Sequence, residues 1–288
     1  MSSIQTIVDA LTLEPIEAGV FRGWTPQVER NHGRIFGGLV IAQALTAAYK
    51  TVAGRSCHSL QAYFIRPGDP HAPVLYEVEK TREGRSFTTR RVVASQQGAK
   101  IFTLAASFHA VEPGLTHETP MEATTAPEAL PEDAVRWANL PEEITKGFHP
   151  PIWVNALEMR SVEPMIMLDP TVMPPRQRMW FRAHEPVGDD PVLNQCLLAY
   201  ATDVSLVTTC GRPHGLSGFR GDQIASLDHA VWFHGRVNMN GWMLYDQYSP
   251  WSGGARGFNR GTIYTREGGI VASVAQEGLI RPAKRRRA

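Results

Sequence analysis

The stretch FGGLVIAQALTAAYKTV, Phe36–Val52, decides how the rest of the chain must be arranged. Two glycines open it, and before Lys50 its only polar side chains are Gln43 and Thr46. A helix apolar on nearly every side has no solvent face and needs protein all around it. Strand-like segments follow in series, CHSLQAYFIRP, APVLYEVEKTREG, RSFTTRRVVASQQG and AKIFTLAASFH, with no helical pattern between them. Glycine-containing turns, such as the one near Gly98, join them tightly. Strands joined by tight turns pair antiparallel, whereas parallel neighbours need a long crossover. The expectation is therefore an α+β architecture, with an antiparallel sheet wrapped around a central helix, and not a doubly wound parallel sheet.

The chain makes this arrangement twice. PVLNQCLLAYATDVSLV, Pro191–Val207, is a second apolar helix, and IASLDHAVWFH, GWMLYDQYSPWSGG, ARGFNRGTIYTREG and GIVASVAQEGLI follow it. Tyr63-Phe64 matches Trp232-Phe233, GRSFTTRR resembles GARGFNRG, and TREG recurs around Gly84 and Gly268. The matches fall at a spacing of roughly 170 residues, as a duplication predicts. Between the halves the composition turns rich in proline and acid, with one short helical pattern at PEDAVRWANL. The expected division is residues 1–110, a linker over 111–151, and residues 152–288.

A net charge of +1 gives no electrostatic reason to invoke nucleic acid or an acidic membrane as partner. Lys284–Arg287 (KRRR) reads as a solvated tail. No apolar run reaches the roughly 20 residues that span a bilayer, so no stable membrane insertion is expected. The N-terminus lacks a secretory pattern, and Cys57, Cys196 and Cys210 are odd in number without metal-like spacing. A reducing, cytoplasmic location is the expectation. No cofactor and no metal site are expected: His229 and His234, five apart on a strand, point to opposite faces. HGLSGFRG around Ser217 lacks the spacing of a serine-hydrolase elbow, and no phosphate-binding glycine loop is present.

Three polar residues interrupt apolar elements of the second half. LLAYATDVSLV, Leu197–Val207, reads as helix, and Asp203 falls on the face of Cys196, Ala199, Leu206 and Val207. A carboxylate there must be partnered, hydrated, raised in pKa or beside a pocket. Ser226 opens a strand, on the face of Asp228, Ala230 and Trp232, and Asp228 is the rival carboxylate. Gln276 comes late in the last strand, where the first half has Ala106.

In this order, GRIFGGLVIAQAL, HSLQAYFIRPGD, GRSFTTRRVVASQQG, SLDHAVWFH, ARGFNRG and VASVAQEGLIR give the chain, over nearly its whole length, a resemblance to the acyl-CoA thioesterase II family. The resemblance implies a double hotdog fold, each long helix wrapped by a curved antiparallel sheet. It implies an Asp, a Thr or Ser, and a Gln converging on a water, carried here by Asp203, Ser226 and Gln276. Many members have threonine at the Ser226 position, so the hydroxyl is kept and a methyl lost. The implied reaction is hydrolysis of medium- to long-chain acyl-CoA to a free acid and CoA, without a covalent intermediate. Asp203 would act as general base, with Ser226 and Gln276 orienting the water. Gly37 and Gly38, at a helix N-terminus, would let the substrate carbonyl approach backbone N–H groups, and Trp232 would line the acyl site. Association into a homodimer or homotetramer is also implied. A hotdog enoyl-thioester hydratase or dehydratase is the rival enzyme, but it needs an Asp and a His together near a helix start, and VGDDPVLNQCLL has no histidine nearby. A non-catalytic acyl-CoA-binding protein would not require the buried carboxylate.

Overall fold

The computed structural model describes residues 3–140, 150–166, 171–216 and 222–283. The basic tail 284–287 and Ser217 lie outside them. A short helix α1 (Ile4–Ala10) and a hairpin of β1 (Glu14–Glu17) and β2 (Val20–Gly23) lead through a 3-10 segment, Gln27–His32, to α2 (Gly37–Tyr49). Then come β3 (Ser56–Phe64), β4 (Val74–Glu83), β5 (Phe87–Gln96) and β6 (Ala99–His109). The second half has α3 (Asp133–Ala138), α4 (Trp153–Ala156), β7 (Leu157–Ser161) and β8 (Arg176–Ala183) before α5 (Pro191–Thr202). A 3-10 segment, Leu206–His214, is followed by β9 (Gln223–Ser226), β10 (Asp228–Phe233), β11 (Met243–Gly253), β12 (Arg256–Thr265) and β13 (Ile270–Arg281).

Among the described residues all strands join one antiparallel sheet in the order β1-β2-β4-β5-β6-β3-β10-β13-β12-β11-β8-β7, with β9 beside β13. The order is palindromic: each half repeats the other outward from the β3–β10 pair, where Leu60 lies opposite Val231. Curled around α2 and α5, which pack against each other, this is the double hotdog fold. The strand pairs β1–β2 and β7–β8, which precede each long helix, are absent from the sequence-based expectation. GRSFTTRR and GARGFNRG occupy the corresponding strands β5 and β12. The two TREG segments do not correspond, because Gly84 lies between β4 and β5 whereas Gly268 lies between β12 and β13.

From Gly38 to Tyr49, every α2 residue except Thr46 is buried, as its all-round apolar pattern requires. Ile41 and Leu45 have no exposed surface, and each such burial contributes roughly 1.5–3 kcal/mol. At α5, Asp190 caps the first turn by accepting from the Val192 amide, with Pro191 just inside. The helix stops at Thr202, five residues short of the expected Val207. Its last residues, Thr202-Asp203-Val204-Ser205, are weak helix formers. Thr202 Oγ donates back to Ala199 O, Tyr245 Oη donates to Thr202 O, and Ser205 turns left-handed at φ 66°. Asp203 is thus the residue that ends the helix, not one within it.

The proline- and acid-rich stretch is fastened to the second sheet. Trp180 Nε1 donates to Thr125 O, Arg160 reaches the carbonyls of Pro127 and Leu130, and buried Asp133 accepts from Ser161 N and Oγ. Among the described residues no helix is long and apolar enough to cross a membrane.

Candidate active site

The end of α5 meets the start of α2 beneath β9, β10 and β13, and there Asp203, Ser226 and Gln276 come together. Asp203 is only 6% exposed. Its Oδ1 accepts from Gln276 Nε2 at 2.6 Å and from Ser226 Oγ at 3.1 Å. Burial raises its pKa to about 6, opposed by those two bonds, by the Gly38 amide and by the charge of Arg34. Period-2 alternation in β13 turns Gln276 inward with Ala272, Val274 and Ile280.

Gly37 and Gly38 take on a different meaning in this setting. A Cβ at Gly37 would lie 2.6 Å from Asp203 Oδ2 and 2.9 Å from Phe64, and one at Gly38 would run into the Tyr200 carbonyl. The bare helix start therefore admits the Asp203 carboxyl itself, and the positive end of the α2 dipole faces it. Gly37 lines the adjoining cavity; Gly38 does not.

That cavity, about 470 Å³, is walled by Gly37, Val40, Phe64, Phe102, Asp203 and Ser226, with the exposed Arg34 and Arg66 also lining it. Gln276 is fully buried behind the carboxyl and forms no part of the wall. Trp232 is also absent from it. The β strand breaks at Leu227, whose amide donates to Glu277 O and whose carbonyl accepts from Phe64 N. The break shifts the alternation, so Ser226 and His229 face inward while Asp228 and Trp232 face outward. Asp228 is spent on the Glu277 amide, and the expected acyl contact at Trp232 falls on the wrong face of the sheet.

His229 is the functional candidate that sequence reasoning missed. It is 1% exposed. Its Nε2 lies 2.9 Å from Thr202 Oγ, and its Nδ1 lies 3.0 Å from Gln276 Nε2 and 3.9 Å from Asp203 Oδ1. Burial lowers its pKa to about 3, so it is neutral. The signal was available: Tyr63-Phe64 and Trp232-Phe233 correspond, which sets His229 where the first half has Leu60. The acids of VGDDPVLNQCLL open α5, whereas the histidine stands near Asp203, at the far end of the same helix. A hydratase-like role still fails, because both ring nitrogens are engaged inside the protein and the ring does not line the cavity. Among the described residues no three His, Cys, Asp or Glu side chains are grouped as metal ligands.

The corresponding place in the first half is closed. Cys57 lies opposite Phe108 there as Ser226 lies opposite Gly278 in the second half. The Tyr49 hydroxyl, at the end of α2, donates to Gln195 Oε1 and accepts from the Cys57 amide at 2.7 Å, while Gln195 Nε2 donates to Cys57 O at 3.1 Å. Leu60 and Ala106 fill the positions of His229 and Gln276, so no carboxyl stands there.

Residues 156–279 match the family described as acyl-CoA thioesterase, and residues 25–109 match the acyl-CoA thioesterase N-terminal domain. The chain belongs to the acyl-CoA thioesterase II family. Acyl-coenzyme A thioesterase 8 of Rattus norvegicus is 37% identical over 97% of this chain and 90% of its own length. Acyl-CoA thioesterase 2 of Haemophilus influenzae is 34% identical over 96% of this chain and 98% of its own. Among solved structures, an acyl-CoA thioesterase II, TesB2 of Mycobacterium marinum, is 38% identical, covers 98% of this chain and 99% of its own, and superposes with a TM-score of 0.79. The thioesterase family thus spans both halves and the site between them.

Proposed function

We propose that the chain hydrolyses medium- to long-chain acyl-CoA thioesters, using a water activated by the Asp203, Ser226 and Gln276 set. The observation that carries this reading is a buried carboxyl of raised pKa, held by two side chains and a backbone amide, at the wall of a largely apolar cavity. A carboxylate with a pKa near 6 is ionised at neutral pH yet basic enough to take a proton from water. Gln276 and Ser226 both bond Oδ1, so no side chain ties Oδ2, which lies beside Gly37 and serves as the basic atom. Ser226 Oγ, also on the wall, orients the water. Gln276 acts from behind the carboxyl by fixing its plane. A thioester is already an activated carbonyl, so attack by water needs no acyl-enzyme. Val40, Phe64, Ile101 and Phe102 on the cavity wall suit the apolar acyl chain. Arg34 and Arg66 suit the phosphates of CoA.

The halves at 1–110 and 152–288, joined through 111–151, the cytoplasmic setting, and association into dimers or tetramers belong to the same reading. Thiol release from a chain-length series of acyl-CoAs, by wild type and Asp203→Asn side by side, tests it. Hydrolysis by wild type and its loss in the variant are expected; a variant with near-normal turnover removes Asp203 as the base.

A further inference from the structure

We propose that His229 is a positioning residue that locks the Gln276 amide, and through it the Asp203 carboxylate, in the reactive orientation; the proposal rests on the hydrolytic reading above. Four hydrogen bonds link the backbone of α5 to the base, and they diverge from the Gln276 NH₂ group, which donates both toward Asp203 and back toward α5. Thr202 Oγ donates to Ala199 O at 2.8 Å, so its one proton is used and it must accept from His229 Nε2. That fixes the imidazole as the Nε2–H tautomer and leaves Nδ1 an acceptor for Gln276 Nε2–H at 3.0 Å. The second proton of the same amide nitrogen goes to Asp203 Oδ1 at 2.6 Å, a short, charge-assisted bond.

A flipped amide would set Gln276 Oε1 against two acceptors, the ionised carboxylate and Nδ1. The alternative Nδ1–H tautomer would set that proton against the Gln276 NH₂ group. Each end of the chain therefore excludes the other arrangements. The direction is held even though Gln276 Oε1 is buried and accepts nothing from the described residues, because the flipped amide would lose both of its donor bonds as well. The neutral state of the deeply buried ring is consistent with this. Removing the lock frees the carboxylate plane, and small misplacements of a catalytic group lower rates by one to two orders of magnitude.

Two substitutions separate an acceptor role from simple packing. In His229→Asn the amide oxygen sits near Nδ1 and keeps the bond to Gln276. In His229→Gln the longer side chain reaches toward Thr202 and loses it. The expected result is a kcat lowered about tenfold or more with unchanged KM in His229→Gln, and a smaller loss in His229→Asn. Equal losses in the two variants, or near-normal kcat in His229→Gln, overturn the proposal. In the wild-type protein, ¹⁵N NMR of the imidazole is expected to show the Nε2–H tautomer and a scalar coupling between His229 Nδ1 and Gln276 Nε2. An Nδ1–H tautomer or a protonated ring at pH 7 overturns it, whether or not either variant folds. If wild type released no CoA, the hydrolytic reading would fail while the NMR result still decided the lock.

Trp153 carries a second, independent inference. A further cavity of about 120 Å³ lies behind the Val204-Ser205 turn, lined by Met159, Met165, Ile166 and Met179. Trp153 is the one described residue that lines both this cavity and the catalytic one. The polar groups around it are already spent, Glu163 on Arg178, Asp133 on Ser161, and Gln177 on Ser205 and Thr209. A thioether-rich pocket of this kind adapts to an apolar guest. The geometry points to Trp153 as the partition that ends the acyl site, with the far cavity taking the tail of a longer acyl chain once the indole is removed. At roughly 30 Å³ per group, it would hold about four methylenes. Trp153→Ala, or Trp153→Leu if the former does not fold, is expected to extend the longest efficiently hydrolysed acyl-CoA by about four carbons. Adding Met165→Trp is expected to reverse the gain. An unchanged length limit, with shorter acyl-CoAs still hydrolysed, refutes the partition and leaves the hydrolytic reading standing.

Discussion

Replacing Asp203 by asparagine is expected to stabilise the protein while disabling it, and the stabilisation should depend on pH. The carboxyl has a pKa of about 6 in the folded chain and about 3.9 in an unfolded one. Between those values the native state binds a proton that the unfolded state has released. Below about pH 4 the group is neutral in both states and its burial carries no ionic penalty. Above about pH 6 it is ionised in both, and the full penalty, two units or about 3 kcal/mol, is present. An amide never carries that penalty, but its NH₂ must face one of the donors from Gln276, Ser226 or Gly38, at about 1 kcal/mol. Asp203→Asn should therefore be about 2 kcal/mol more stable than wild type at pH 8, which for a chain of this size is about 4 °C in Tm. At pH 4 it should be no more stable, or slightly less. Calorimetric scans of both proteins at several values across this range would show it. The same variant should lose about two or more orders of magnitude in kcat, and wild-type kcat/KM should rise with pH through about 6. A Tm difference that does not change with pH would refute the assignment of the shift to burial of this carboxyl.

Ser226→Ala removes a donor to the base and should lower kcat by about tenfold, whereas Ser226→Thr, keeping the hydroxyl, should stay close to wild type; steady-state thiol release distinguishes them. Gly37→Ala places a methyl group against Asp203 Oδ2 and Phe64, and should lower kcat by an order of magnitude or more in the same assay, with far-UV circular dichroism unchanged. Cys57, Cys196 and Cys210 are all buried, and burial pushes each thiol up, Cys196 to about 12. None should react with a thiol reagent until the protein unfolds, so CoA release can be followed with such a reagent without background from the enzyme.

The long helices and the strands that follow them were legible because both periodicities are strong: an all-round apolar α2 leaves no alternative to wrapping, and β13 alternates cleanly through Gln276. The strands preceding the helices were not, since four-residue β1 is exposed throughout and β2 is short. The end of α5 was overrun because Val204, Leu206 and Val207 continue the apolar spacing, while the stop is set by a tertiary bond from Tyr245 and by the left-handed Ser205. The face of Ser226 was misread for a related reason. Alternation assumes an unbroken strand, and the one-residue register shift at Leu227 exchanges Asp228 and Trp232 for His229. Asp203 and Gln276 stood out as polar residues in apolar elements. His229 stands out only once the halves are aligned, as a polar residue where the first half has buried Leu60.

The covalent joining of the two halves has an effect that separate subunits could not produce. In a pair of identical chains, any substitution appears on both sides of the symmetry axis, so a catalytic carboxyl and a sealing tyrosine cannot be chosen independently. Here one gene encodes both positions separately. The Tyr49–Gln195–Cys57 plug closes one end of the paired helices, and Asp203 stands at the other. Sequence variation should accordingly fall unevenly on the two halves: substitutions around the plug are constrained by stability alone, and those around the base by turnover as well.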